Sequence, residues 1–287
     1  MFLFCSHPQI SLHRQHGWQE STPPLQVLSF SFIMASIRIE RGERMEHWES
    51  LKPGGYRFVY EDTLFRPGTD TFLLSSMPRL KNGLRVCDLG CGTGLLGLLL
   101  LQRHPGLTVT GVDIQPNAIR LAGKASEENH LTDRLTFLCG DLREPVLPAN
   151  SFDLVVCNPP YYPVSSGKTA SSPSLRTARS EESCTLEELC RAAARLLLWS
   201  GHFCLVHKPE RLTDLCCTLR DCGLEPKRLR FVCKTPQAAP SLLLLDACRG
   251  GKPGLTIEAP LILQNGDGSP SSEVEAIYFR TKQEDTP

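Results

Sequence analysis

Four polar residues in this 287-residue chain each close a short apolar run. Asp88 stands in LRVCDLG, Asp113 ends LTVTGVD, Asp141 follows RLTFLCG, and Asn158 follows SFDLVVC. Three carboxylates and an amide can accept hydrogen bonds from the hydroxyls and amino groups of a small ligand. Between the first two runs lies DLGCGTG, where Gly90, Gly92 and Gly94 let the backbone turn tightly and approach a ligand closely. A helix starting after such a loop offers the positive end of its dipole. Asn158 also opens the quartet Asn158-Pro159-Pro160-Tyr161. The prolines fix φ near about −65° and donate no backbone hydrogen bond. Asn158 precedes a proline and is pushed towards extended backbone. The strand must therefore stop at Cys157, before a stiff polar and aromatic loop. A rigid turn explains one proline well and the whole quartet poorly.

These residues need a frame that brings them to one edge. The runs just named read as four strands, and helical runs separate them. LLGLLLLQRH is a helix closed by Pro105-Gly106, and PNAIRLAGKASEENH is a helix with proline in its first turn. TLEELCRAAARLLLW is a helix with Ser183 or Thr185 as its cap ahead of Glu187 and Glu188. GHFCLVH is a fifth strand, PERLTDLCCTLRDCG a helix ended by Gly223, and KRLRFVC and SLLLLDAC two late strands. Strands separated by helices imply βαβ units, so the fold class is α/β: a doubly wound, Rossmann-like, mainly parallel sheet of seven strands. In such sheets ligands bind at the carboxyl ends of the strands, where Asp88, Asp113, Asp141 and Asn158 fall. The stretch 163–182 is rich in Ser, Pro and Gly and is expected to be a flexible loop over the same face.

Composition narrows the class. With 41% hydrophobic and 22% charged residues the chain reads as an ordinary soluble globular protein. Its formal net charge is zero, so any nucleic-acid contact must come from local patches. The 13 cysteines are an odd number, several in apolar runs, which suits buried reduced thiols in a cytoplasmic protein. Their spacing matches no zinc site, and no metal is expected. No apolar stretch approaches the ~20 residues that span a bilayer, so no membrane partner is expected. Residues 1–33 lack the cationic start and long apolar centre of a secretion signal and show no clean periodicity. They are expected to be disordered or a spurious extension upstream of a start at Met34.

The glycine loop supports two readings. Gly92-Thr93-Gly94-Leu95-Leu96-Gly97 matches the dinucleotide fingerprint, with Asp113 about 20 residues further on. The same residues suit S-adenosylmethionine (SAM), whose ribose hydroxyls Asp113 would also hold. Asp88 favours the second reading. A carboxylate is a poor neighbour for a pyrophosphate, whereas SAM has no phosphate and carries a sulfonium and an ammonium group. Asp141 stands 28 residues after Asp113, placed to accept from an adenine amino group or to cap a helix.

Residues from about 84 to 232 resemble class I SAM-dependent methyltransferases. Within that class Asn158-Pro159-Pro160-Tyr161 is similar to the NPPY motif of enzymes that methylate planar nitrogens, adenine N6 or a glutamine amide. Gly68-Thr69-Asp70 followed by TFLL resembles the segment closing the SAM pocket in the tRNA (valine) adenine-N6-methyltransferases, and ARSEESCTLEELCRAAARLL, HKPERL and LEPKRLRFV continue the likeness. The resemblance implies methyl transfer to N6 of an adenine in tRNA, at position 37 beside the anticodon of a valine tRNA. It implies Asn158, Pro159, Pro160 and Tyr161 as the catalytic loop, and Thr69, Asp70, Asp88, Gly90, Gly92, Gly94, Asp113, Asp141 and Asn158 as the cofactor site. The Asn158 side-chain oxygen and the Pro159 carbonyl would accept the target's two N–H bonds, and Tyr161 would stack on its ring. Lys168, Arg176 and Arg179, and the cluster Lys227, Arg228, Arg230 and Lys234, are candidate phosphate contacts around a flipped base.

A glutamine methyltransferase of peptide release factors shares NPPY, but the resemblance leads one to expect a helical domain before its core, for which 34–80 is too short. A non-catalytic RNA-binding protein on the same scaffold is a further alternative, against which the intact quartet argues. Residues 34–80 are expected to close the cofactor pocket, 81–250 to form the methyltransferase domain, and 251–287 to pack on it and end in a disordered tail. The protein is expected to be a monomer.

Overall fold

The central strands are apolar on both sides, so each face of their sheet needs a cover. In the computed structural model, which describes residues 45–62, 68–159 and 184–280, helices supply both. Residues 1–33 and the loop 163–182 lie outside the described residues. A hairpin of β1 (Glu46–Ser50) and β2 (Arg57–Glu61) precedes a short helix α1 (Thr69–Leu74). Then follow β3 (Arg85–Leu89), α2 (Leu95–Arg103), β4 (Thr108–Asp113), α3 (Pro116–Glu128), β5 (Leu135–Cys139) and β6 (Phe152–Cys157). The second half runs α4 (Leu186–Leu196), β7 (Leu197–His207), α5 (Leu212–Asp221), β8 (Leu224–Cys233) and β9 (Pro240–Arg249).

The sheet order is β5-β4-β3-β6-β7-β9-β8, parallel throughout except that β9 runs antiparallel between β7 and β8. Two strands of two residues each, β10 (Thr256–Ile257) and β11 (Leu261–Ile262), pair parallel with β8. The sheet therefore has nine strands where the sequence suggested seven. The additions come from the tail after β9, which ends in α6 (Ser272–Ile277). Chain order reverses between β3 and β6, and this switch point opens a crevice at the carboxyl ends of the strands.

Residues alternate across the pleat. Val86, Leu154, Val156, Cys204, Val206 and Leu244 pack into one core with residues of α1, α2 and α3. Cys87, Val155, Cys157, Phe203, Leu205 and Leu243 pack into the other with α4 and α5. In α2 every residue from Leu95 to Leu101 is buried, as befits a helix covered all round. Thr185 is the cap of α4: its hydroxyl accepts from the Glu188 amide while Glu188 reaches back to the Thr185 amide. The helix expected over 185–199 stops at Leu196. Leu197 pairs with Phe152 and is fully buried, so pairing and burial override the helix-forming tendency of the leucines.

The hairpin is fastened to α3 by buried charge. Glu61, 1% exposed, accepts from Arg120 Nη2 at 2.5 Å and from Asn117 Nδ2 at 2.8 Å. Glu46 binds Arg120 and Lys124 on the same helix.

Candidate active site

Three neighbouring strands, β4, β3 and β6, end side by side and carry Asp113, Asp88 and Asn158. Asp88 pairs with Gly111 and Val156 and is 2% exposed. Its Oδ2 has no hydrogen-bond partner among the described residues. Burial pushes its carboxyl up to about 8, the nearby Asp113 charge adds to this, and the Gly97 amide opposes it. After β3 the backbone bends through Gly90, Gly92 and Gly94, all at positive φ. A Cβ on Gly94 would lie 2.5 Å from the Phe137 ring, whereas one on Gly90 or Gly92 would meet nothing within 4 Å. Gly94 is thus required by packing as well as by its φ of 81°.

Asp113 holds this loop in place. Its Oδ2 accepts from the Gly92 amide at 2.8 Å and its Oδ1 from the Gln115 amide at 2.9 Å. Burial raises its pKa, and these amides resist the rise. The Gln115 side chain and the Ile114 amide also act on this carboxylate, so a ligand's hydroxyls would share it with its own loop. Asp141 lies two residues past β5. The Arg143 guanidinium grips both its oxygens, with Nε 2.9 Å from each, and lowers its pKa. An adenine amino group would share Asp141 with Arg143, a competitor that the sequence reading did not foresee.

Across the crevice, Asn158 follows β6 half-buried and Pro159 is buried. Asn158 Nδ2 donates to Thr71 Oγ1 on α1 at 3.0 Å. The same helix carries Thr69 and Asp70. Burial raises the Asp70 carboxyl and the Lys208 charge opposes this. Phe72 of α1 stacks on Tyr278 just after α6, with rings 4.5 Å apart and 7° from parallel. Tyr278 is also hydrogen-bonded to the Thr69 side chain. Arg103 ties α1 to the tail through Ser75 Oγ and the Ile277 carbonyl.

Comparison with known proteins gives the family of the chain. The family model of the methyltransferase small domain matches residues 59–214, from within β2 to the first turn of α5. The chain belongs to this methyltransferase family. A tRNA1(Val) (adenine(37)-N6)-methyltransferase from Porphyromonas gingivalis is 33% identical over 200 residues, 66% of this chain and 78% of the relative. One from Dickeya chrysanthemi is 28% identical over 81% of this chain and 95% of its own length. The match to one from a Flavobacteriaceae bacterium, 32% identical, spans 59% of that relative. Among solved structures, a predicted O-methyltransferase from Agrobacterium tumefaciens shares the fold, with TM-score 0.62 and 21% identity over 74% of this chain and 97% of its own.

The crevice carries further features that the sequence motifs did not name. Thr71 was not among the candidates, although it touches Asn158. Ile114, directly after Asp113, is 47% exposed, and Leu138 on β5 is 41% exposed. Val112 pairs with Leu138, so these bare apolar side chains lie at the Asp113 end of the sheet. An isoleucine following an acidic strand end was the one visible signal.

The other candidates divide. Pro160, Tyr161, Lys168, Arg176 and Arg179 lie outside the described residues. In the second basic cluster, Arg228 donates to Asp246, Glu258 and the Met77 carbonyl and is only 12% exposed. Arg230 binds both carboxylate oxygens of Glu273, and Lys227 donates to the Lys252 carbonyl. Arg228 and Arg230 thus fasten β8 to β9 and to the tail. Lys234 is exposed. No group of three or more His, Cys, Asp or Glu side chains among the described residues could hold a metal. No helix of the described residues is long and apolar enough to cross a membrane. The 12 cysteines among them are free thiols.

Proposed function

We propose that this protein transfers the methyl group of SAM to N6 of an adenine in tRNA, at position 37 beside the anticodon of a valine tRNA. The observation that carries the reading is the place of Asn158-Pro159. They follow β6, which pairs with β3, the strand that carries Asp88 and leads into the glycine loop. The relatives' names supply the substrate.

The residues present fit SAM. Asp88 offers a buried carboxyl oxygen without a partner among the described residues, suited when ionised to a cationic ligand. Asp113 at the end of β4 is placed to accept from ribose hydroxyls, Ile114 and Leu138 offer an apolar surface for an adenine ring, and Thr69 and Asp70 stand on the helix that closes the crevice. When bound, SAM supplies an electrophilic methyl group on a sulfonium. The chain's own residues prepare the nucleophile. An adenine N6 lone pair is delocalised into the ring. Accepting its two N–H bonds, at Asn158 Oδ1 and the Pro159 carbonyl, draws density onto nitrogen and favours the pyramidal geometry of attack. The prolines hold both acceptors before the reaction starts, which is preorganisation aimed at the transition state. Tyr161 stacks on the target ring. No strong base is needed, because the methylated nitrogen is cationic and acidic. Lys168, Arg176 and Arg179, with Lys227 and Lys234, hold phosphates around the base. Arg228 and Arg230 would reach RNA only by giving up their present carboxylates. The protein acts on tRNA as a monomer in the cytoplasm, a setting consistent with its free thiols.

Nucleoside mass spectrometry on tRNA lacking the modification, after incubation with SAM, tests this. N6-methyladenosine at position 37 is the expected product. Methyl label entering a peptide release factor and none entering tRNA would overturn the reading in favour of the glutamine enzyme.

A further inference from the structure

The proposed chemistry needs an acceptor in one orientation only. A carboxamide has two ends, and only Oδ1 can accept an N–H from the target. Turned over, the amide would present its own N–H bonds to those of the adenine. Asn158 lies beyond the last paired residue of β6, so strand pairing does not set its side chain. Its Nδ2 donates to Thr71 Oγ1 at 3.0 Å, a contact between residues 87 positions apart. Thr71 is only 8% exposed, and the next three residues of α1, Phe72, Leu73 and Leu74, are buried. The oxygen therefore sits on a packed helix and not on a loose loop. A helical threonine commonly directs its hydroxyl proton to a carbonyl one turn back, which leaves the oxygen's lone pairs for Nδ2.

We propose that Thr71 is a positioning residue: its hydroxyl fixes the Asn158 amide so that Oδ1 faces the target nitrogen. The inference rests on the adenine-N6 reading and goes beyond it. It assigns to α1, otherwise a cover over the cofactor, a part in the specificity of the transfer.

The test uses the full chain, SAM and an unmodified valine tRNA transcript. Thr71→Val keeps the shape and removes the oxygen. Losing one oriented hydrogen bond should lower kcat about tenfold. KM for tRNA and the SAM dissociation constant, read by calorimetry, should stay within about twofold. Thr71→Ser, which keeps the hydroxyl, should recover most of the lost turnover. Adding Thr71→Val to Asn158→Ala should cost nothing further, because the group to be oriented is gone. If Thr71→Val melts early, Thr71→Ala serves as the second variant, read in the same cycle. Turnover near wild type in Thr71→Val, equal losses in Val and Ser, or losses that multiply with Asn158→Ala would each overturn the proposal. A wild-type protein that leaves tRNA unmethylated sinks the adenine reading itself. An active wild type with a full-speed Thr71→Val sinks Thr71 alone.

Discussion

The two sides of the crevice are built by different means. On the β3–β4 side the parts are close in sequence: Asp88, the three glycines, Asp113 and Gln115 fall within one βαβ unit, and Asp113 pins its own unit's loop. On the β6 side the parts come from afar. Asn158 is held by Thr71, and the helix carrying Thr71 is held by Tyr278 and Arg103. The first side is a preformed cradle whose conformation follows from local backbone. The second is assembled only when α1, β6 and the tail have all docked. The glycine loop can thus survive damage to the tail, whereas α1, with Thr69, Asp70 and Thr71, depends on the tail for its place.

Asn158→Ala should break this division most sharply. It removes a preorganised group that acts on the target amine, and a loss on the order of 10²–10³ in kcat is expected. SAM affinity should hardly change, because the lost group acts on the target amine and not on SAM. Single-turnover kinetics with saturating SAM, together with calorimetric SAM binding, separate the two effects. Near-normal turnover would reduce the quartet to a stiff turn.

The same division governs what the sequence disclosed. The β3–β4 side was legible because its signals are local: apolar runs ending in Asp88 and Asp113, and glycines where positive φ is needed. Asn158 was legible because two prolines after a strand leave little other conformation. Thr71 was not, because a threonine in TDTFLL has no pattern that points 87 residues ahead. The role of Arg228 was missed for a related reason. In sequence it is one base in KRLR, and only the pairing of β8 with β9 sets it opposite Asp246. The early end of α4 at Leu196 likewise follows from a partner strand and not from local preference.

A second, smaller effect sharpens the picture of the cradle. Buried Asp88, raised to about 8, keeps its proton at neutral pH in the free protein. The unfolded chain gives up that proton near the ordinary value of 3.8. Between these values the folded state binds more protons than the unfolded one, so Asp88 makes stability fall as pH rises through that window. A cationic ligand favours the ionised form, so SAM binding should release a proton at pH near 7. Its affinity should rise with pH, by at most about tenfold per unit. Calorimetry in two buffers of different ionisation heat counts the proton. Asp88→Asn should bind more weakly and release none. Release that persists in Asp88→Asn would place the proton elsewhere.

The smallest effect tests whether the tail reaches the crevice at all. Tyr278→Ala removes both the stack on Phe72 and the bond to Thr69. An aromatic pair of this kind is worth about 0.5–1.5 kcal/mol beyond its buried area, so α1 should loosen without the fold being lost. Since α1 carries Thr69 and Asp70 on the cofactor side and Thr71 on the target side, a few-fold loss should appear in SAM affinity and in kcat together. That joint loss would distinguish Tyr278→Ala from Asn158→Ala, which touches turnover alone. Tyr278→Phe keeps the stack and should lie close to wild type in both. Melting temperature, SAM titration and turnover on the three proteins decide the matter. A lower melting temperature in Tyr278→Ala, with SAM binding and kcat intact, would mean that the tail stabilises the fold but leaves α1 where it is, and the two sides would then be more independent than their contacts suggest.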